Sequence, residues 1–262
     1  MPDGKGAHAG TPPPTRRRGS AAYAPVPSRA RRLLRAVGYG LAFSVPIALL
    51  AFLVREKFLP VIDLDEGAIR AATDITRAHD GLRTALVVWQ EAFQPRWVYI
   101  VGSLVCLWVW RRAGLTTRAA WAFVTMMVAW NLQLVLKAVV QRARPVVSDP
   151  VSHAPGYSFP SGHVANVAAA TTILVILLWP LLPTGGRRLA VAAAVVLTAL
   201  TCLDRVFLGV HFPSDTVAGV LFGVGLGLAS YAGYVGWNPV GPDDAPPPEE
   251  APAPPPRPRG TP

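Results

Sequence analysis

Six long apolar runs, separated by charged or proline-containing joins, set the pattern of the chain: residues 36–54, 97–110, 119–136, 164–182, 189–203 and 216–237. An α-helix rises about 1.5 Å per residue, so roughly 20 residues cross a hydrocarbon layer about 30 Å thick. Four of the runs meet that length. The runs at 97–110 and 189–203 are shorter, but Arg96, Arg111, Arg112, Arg188 and Arg205 flank them. Long basic side chains lie along a helix and reach the headgroups, so short runs still span. Buried helices of a soluble domain would account for two such runs, not six. The pattern predicts an all-α polytopic membrane protein with six transmembrane helices over residues 36–237.

The remaining segments read differently. Residues 55–96 mix charges with apolar residues at partly helical spacing (Ile69, Ile75, Leu82, Leu86). This predicts one or two short amphipathic helices at the membrane surface, either as a lid or as a solvated connector. Residues 1–35, rich in Pro, Gly and Arg, predict a disordered basic arm. Residues 238–262, dominated by Pro, Ala and acids, predict a disordered tail. Gly219, Gly223 and Gly227 recur every fourth residue in the last run, which is a small-residue packing face.

Composition agrees: 52% of the 262 residues are apolar and 15% charged, too few charges for a soluble domain of this size. The net charge of +10 invites a nucleic-acid partner, but its placement argues against one. With both termini cytoplasmic, the inner segments hold 15 of the 25 Lys and Arg residues. They hold only five acids: Asp3, Asp243, Asp244, Glu249 and Glu250. Basic excess in cytoplasmic segments is the positive-inside signature, so the charge records topology. Cys106 and Cys202 both fall in apolar runs and give neither a disulfide framework nor metal-ligand spacing.

Three polar clusters interrupt the hydrophobic pattern, and counting spans from a cytoplasmic N-terminus puts all three at the extracytoplasmic face. Lys137 and Arg144 close the third span. Pro160, Ser161, Gly162 and His163 open the fourth. Arg205, His211 and Asp215 bracket the join of the fifth and sixth. Lys137 and Arg144 are seven apart, which on a helix puts them along one face. Arginine forks suit phosphate, and a lysine adds a point charge. Ser161 and Gly162 at a helix start offer free N–H groups to an anion. His211 and Asp215, four apart where a helix begins, can face each other, so that the carboxylate orients the imidazole for attack. His163 can serve as general acid. Taken singly, each of these residues reads as an interface anchor or helix cap; their convergence on one face points to phosphoryl chemistry.

At these residues the chain resembles the type 2 phosphatidic acid phosphatase superfamily, which includes vanadium haloperoxidases and glucose-6-phosphatase. Lys137 through Arg144-Pro145 is similar to its first motif, Pro160 to His163 to its second, and Arg205, His211 and Asp215 to its third. The resemblance implies a helical bundle and a metal-independent reaction without cofactor, through a phosphohistidine on His211. Asp215 would orient His211 and His163 would be the proton donor. Lys137, Arg144, Ser161, Gly162 and Arg205 would hold the phosphate. Where the family has Ser, this chain has Asp204; an acid there either lowers the local positive potential or holds Arg205 in place.

The sequence thus leads to a membrane lipid phosphate phosphatase. A lipid phosphotransferase sharing the phosphoenzyme is the alternative. A non-enzymatic polytopic protein is disfavoured, because every charge falls at a span end rather than near the midplane. The partner is a lipid phosphate among membrane lipids. Polyprenyl diphosphates such as undecaprenyl diphosphate, phosphatidic acid and phosphatidylglycerophosphate all qualify, since no motif reads tail or headgroup. The oligomeric state is left open.

Overall fold

A computed structural model describes residues 28–146, 152 and 154–235. The expected Pro-rich tail and all but the end of the expected basic arm lie outside the described residues. Among those described, the chain is helical: α1 (Arg29–Arg55), α2 (Leu59–Ala78), α3 (Asp80–Ala92), α4 (Pro95–Ala113), α5 (Thr116–Val140), α6 (Gly162–Leu178), α7 (Thr184–Phe207) and α8 (Pro213–Tyr234). A 3₁₀ turn, Trp179–Leu181, extends α6. Helix α1 starts seven residues before the apolar run, because Ser28 caps it, accepting from the Arg31 N–H at 3.4 Å. Arg29, Arg31, Arg32 and Arg35 therefore stand on the helix rather than in the arm.

Helices α1, α5, α6, α7 and α8 are long and apolar enough to cross a membrane. Helix α4, which carries Arg96 at its start and Arg111 and Arg112 at its end, passes only together with α3, from which it bends by 49°, so the helices number five, or six where that bent pair is one span. Outward faces stay apolar: Leu34, Leu41, Val45 and Phe52 on α1, and Val195 and Val196 on α7, are exposed. Such surfaces are stable only when lipid covers them. The protein is a multi-pass membrane protein.

Helix α6 is the hub, touching α4, α5, α7 and α8. Its Ala165, Ala168, Ala169 and Ala170 are fully covered. Helix α8 lies between α6 and α1. Its glycine face meets α6 so closely that a Cβ on Gly223 would sit 2.5 Å from the Ala169 nitrogen and 2.6 Å from the Ala165 oxygen. On the other side Gly225 abuts Phe43 of α1. Small residues let helix backbones approach in this way, which is how packing is gained where no hydrophobic effect drives it.

Helices α2 and α3 sit at one end of the bundle and pack on α7, with α2 also reaching α8. The buried face of α2 comprises Asp65, Ile69, Ala72, Thr73 and Thr76, while Ile75 is exposed. Thr76 Oγ1 donates to the Phe207 carbonyl at 2.8 Å, and Trp89 Nε1 of α3 to Thr201 Oγ1 at 3.3 Å.

Candidate active site

Helix α5 ends where Gln141 turns left-handed (φ 52°), its N–H returning to the Lys137 carbonyl at 3.0 Å. Arg144 therefore lies beyond the helix and does not share a helical face with Lys137, contrary to the expectation from spacing. The two meet another way, through the carbonyls of the loop before α6. Lys137 Nζ donates to Tyr157 O at 2.7 Å and Ser158 O at 3.3 Å. Arg144 donates from Nε to Gly156 O and from Nη2 to Pro155 O, both at 3.0 Å. The loop is tied back by Ser158 N–H to Arg142 O, at 2.8 Å.

The start of α6 joins this cup directly. Its first residue, Gly162, lies so near α5 that a Cβ would be 3.3 Å from Gln133 Oε1 and 3.5 Å from Lys137 Cε. The Ser161 N–H donates to the Asp215 carbonyl at 3.0 Å, stitching the second cluster to the third. Ser161 Oγ and His163 Nε2 are buried and make no hydrogen bond. His163 feels the charges of Arg205, His211, Lys137 and Arg144, which places the three sequence clusters around one point.

Between α7 and α8, Gly209 adopts φ 72°, a conformation open to glycine, and the N–H groups of Val210 and His211 fold back onto the Arg205 carbonyl. This turn aims His211 into the cup, where Arg144 Nη1 lies 3.1 Å from its Nε2 and 2.8 Å from the Val210 carbonyl. A guanidinium has no acceptor, so His211 Nε2 accepts and the ring proton resides on Nδ1. Nδ1 faces Asp215 Oδ2 and Ser158 Oγ, each 3.5 Å away. Burial, with the Lys137 and Arg144 charges adding to it, pulls the His211 pKa down to about 4, although Asp215 opposes the shift.

Asp215 is itself fully buried and heavily constrained. Oδ2 accepts from Ser158 Oγ in a short hydrogen bond and from the Phe212 N–H at 3.0 Å. Oδ1 accepts from Arg142 Nη1 at 2.7 Å. Ser158, Arg142 and the Asp65 carboxylate that Arg142 also bonds were not singled out from sequence. Ser158 lies just outside the Pro-Ser-Gly-His run, and nothing in the spacing marks Arg142 or Asp65.

Arg205 behaves differently from the other cations. It is buried, and both Nε (2.7 Å) and Nη2 donate to Asp204 Oδ2. Asp204 thus holds Arg205 in place, and its charge offsets that of the guanidinium. Among the described residues no three His, Cys, Asp or Glu side chains come together to hold a metal ion. An apolar cavity of about 470 Å³ between α4 and α5, lined by Cys106, Trp110 and Phe123, lies towards the other end of these helices.

The structure is a polytopic helical bundle that gathers cations, two histidines and a helix start at one end. Residues 118–238, which include every one of these site residues, match the PAP2 superfamily. It is 33% identical over 113 residues to phosphatidylglycerophosphatase B of Bacillus subtilis, covering 41% of this chain and 55% of that protein. It is 32% identical over 103 residues to decaprenylphosphoryl-5-phosphoribose phosphatase of Mycobacterium tuberculosis, covering 38% and 52%. The chain thus matches about half the length of these curated relatives. The fold is shared with the crystal structure of a transmembrane PAP2-type phosphatidylglycerolphosphate phosphatase from Bacillus subtilis. The TM-score is 0.66 at 23% identity, over 73% of this chain and 94% of that one.

Proposed function

We propose that the protein is a lipid phosphate phosphatase that hydrolyses a terminal phosphate at the outer membrane face through a phosphohistidine on His211. The observation that carries this reading is the two-sided environment of His211. Its Nε2 lone pair touches a phosphate-type cation, Arg144, while its Nδ1 proton faces the constrained carboxylate of Asp215. An imidazole held in that tautomer is a nucleophile aimed at whatever anion Arg144 and Lys137 bind.

In the first step His211 Nε2 attacks phosphorus, the bond from phosphorus to the lipid oxygen breaks, and His163 gives that oxygen its proton. Arg144, Lys137 and the α6 start at Ser161 and Gly162 bear the charge that builds on the other phosphate oxygens, usually the largest catalytic contribution. In the second step His163 takes a proton from water, the water oxygen attacks phosphorus, and inorganic phosphate leaves with neutral His211 restored. Asp215 steadies the imidazolium formed in between. The names of the similar proteins support a substrate with a phosphate on a lipid or polyprenyl carrier, and the apolar flanks of the bundle suit a substrate that stays in the bilayer.

Purified protein is tested for phosphate release against a panel of phosphatidylglycerophosphate, phosphatidic acid, polyprenyl diphosphates and a polyprenyl-linked sugar phosphate, with His211→Ala as blank. Release by the parent and a loss of at least about 10³-fold in the blank are expected. A blank as active as the parent would overturn the assignment of His211. Product analysis with added acceptor lipids distinguishes hydrolysis from transfer.

A further inference from the structure

Asp65 is fully buried although it stands on α2, the amphipathic helix outside the spans, 150 positions before Asp215. Its partners all belong to the catalytic end. Oδ1 accepts the Ser214 backbone N–H at 3.0 Å, and Oδ2 accepts Ser214 Oγ in a short hydrogen bond and Arg142 Nη2 at 2.8 Å. Arg142 then spans two carboxylates: Nη2 lies on Asp65 and Nη1 on Asp215 Oδ1 at 2.7 Å, with Ser214 Oγ also 2.7 Å from Nη1. Its guanidinium lies over the Phe212 ring, 4.1 Å from the centroid, so stacking fixes its plane. A flat fork held on both edges and one face has little freedom to turn.

We infer that Asp65 and Arg142 are positioning residues for the proposed phosphatase reaction, holding Asp215 at the angle at which it orients His211; the inference therefore rests on that reading. The chemistry follows from the acceptors of Asp215. Oδ2 serves Ser158 and the Phe212 N–H and faces His211, so the direction of that oxygen is set by what pins Oδ1. Arg142 pins Oδ1. Arg142 alone would be a long flexible side chain, and Asp65 supplies the counter-charge that keeps it from swinging to water. By bonding the Ser214 N–H, Asp65 also fixes the first turn of α8, from which Asp215 projects. Helix α2 is thus neither a lid nor a loose connector in this role. It is the outer brace of the nucleophile.

The test uses the full chain in detergent and the lipid that the parent hydrolyses fastest, with kcat expressed per folded molecule from a thermal unfolding signal. Variants are Asp65→Asn, Arg142→Gln and both together, with Ser214→Ala as a milder member that removes no charge. Each single charge variant is expected to lose about tenfold in kcat, with KM and the inhibition constant for inorganic phosphate within about twofold, because Lys137 and Arg144 are untouched. The double variant is expected to be no worse than the poorer single one, as residues acting in one chain are non-additive. Ser214→Ala is expected to lose about threefold in kcat and serves if Asp65→Asn does not fold. Unchanged kcat per folded molecule in Asp65→Asn, or in Ser214→Ala where Asp65→Asn does not fold, overturns the role, as do multiplying losses in the double variant. A parent that releases no phosphate from any lipid fails the phosphatase reading itself, and the positioning role with it.

Discussion

The protonation of His211 decides whether the proposed nucleophile exists. With its pKa drawn down to about 4, chiefly by burial, the ring is neutral above that value and loses its lone pair to a proton below it. Activity is therefore expected to fall as pH drops through about 4 rather than through the ordinary histidine value near 6.5. Phosphate release followed across the acid range checks this, and an acid limb near the ordinary value would mean that His211 is not shielded from water. A second expectation concerns Asp204. Replacing it by serine, Asp204→Ser, leaves the buried Arg205 without its carboxylate, and breaking such a pair costs about 3–5 kcal/mol. Inorganic phosphate should then raise the melting temperature of Asp204→Ser more than that of the parent, because phosphate supplies the missing negative charge to Arg205. Equal shifts would place Arg205 outside the phosphate pocket. The spacing of Lys137, Ser161, His163, His211 and Asp215 was readable in the sequence because motif distances along a chain survive folding. The partner of Arg205 was not, since a neighbouring acid can point towards or away from it.

Helices were the most legible level, because long apolar runs leave little choice of conformation in a bilayer. The end of α5 shows where that legibility stops: Lys137 and Arg144 have helical spacing, but Gln141 turns left-handed between them, and no glycine or proline there announces it. Helix α2 shows a second limit. Its buried face mixes Ile69 and Ala72 with Asp65, Thr73 and Thr76, while Ile75 is exposed, so hydrophobic periodicity marks that face only in part. The glycine face of α8 was legible and has a sharp consequence. Ser161 and Asp215 meet at 3.0 Å only because α6 and α8 run in near contact below them. Gly223→Val would push side-chain carbons into the backbone of Ala165 and Ala169, an overpacking worth about 1–3 kcal/mol. A lower melting temperature and a loss of kcat are both expected, the second because the shift separates the helix starts that carry the two clusters. A variant as stable and active as the parent would show that α6 and α8 do not approach this closely.

Orientation in the membrane follows from how charge is divided between the two ends of the bundle. One end carries Arg29, Arg31, Arg32 and Arg35 of α1, Arg111 and Arg112 of α4, Arg118 of α5, and Arg187 and Arg188 of α7. Among the described residues it has no Asp or Glu. The other end mixes both signs, with Glu56, Asp63, Glu66, Asp74 and Asp80 beside Arg70, Arg77 and Arg83, and it holds His163 and His211. Basic excess near span ends is retained in the cytoplasm, so the arginine-rich end is expected inside and the site outside. With Cys106 and Cys202 replaced by alanine, Tyr157→Cys in the exposed loop over the site should react with a membrane-impermeant maleimide in intact cells. Thr184→Cys at the start of α7 should react only after lysis. The reverse pattern would put the site in the cytoplasm, and the proposed reaction would then draw on lipid phosphates of the inner leaflet. The expected pattern restricts the substrate to lipids whose phosphate already stands at the outer surface. Such an enzyme needs no route for the phosphate through the bundle, which is consistent with α6 being sealed by alanines against its neighbours from Val164 onwards.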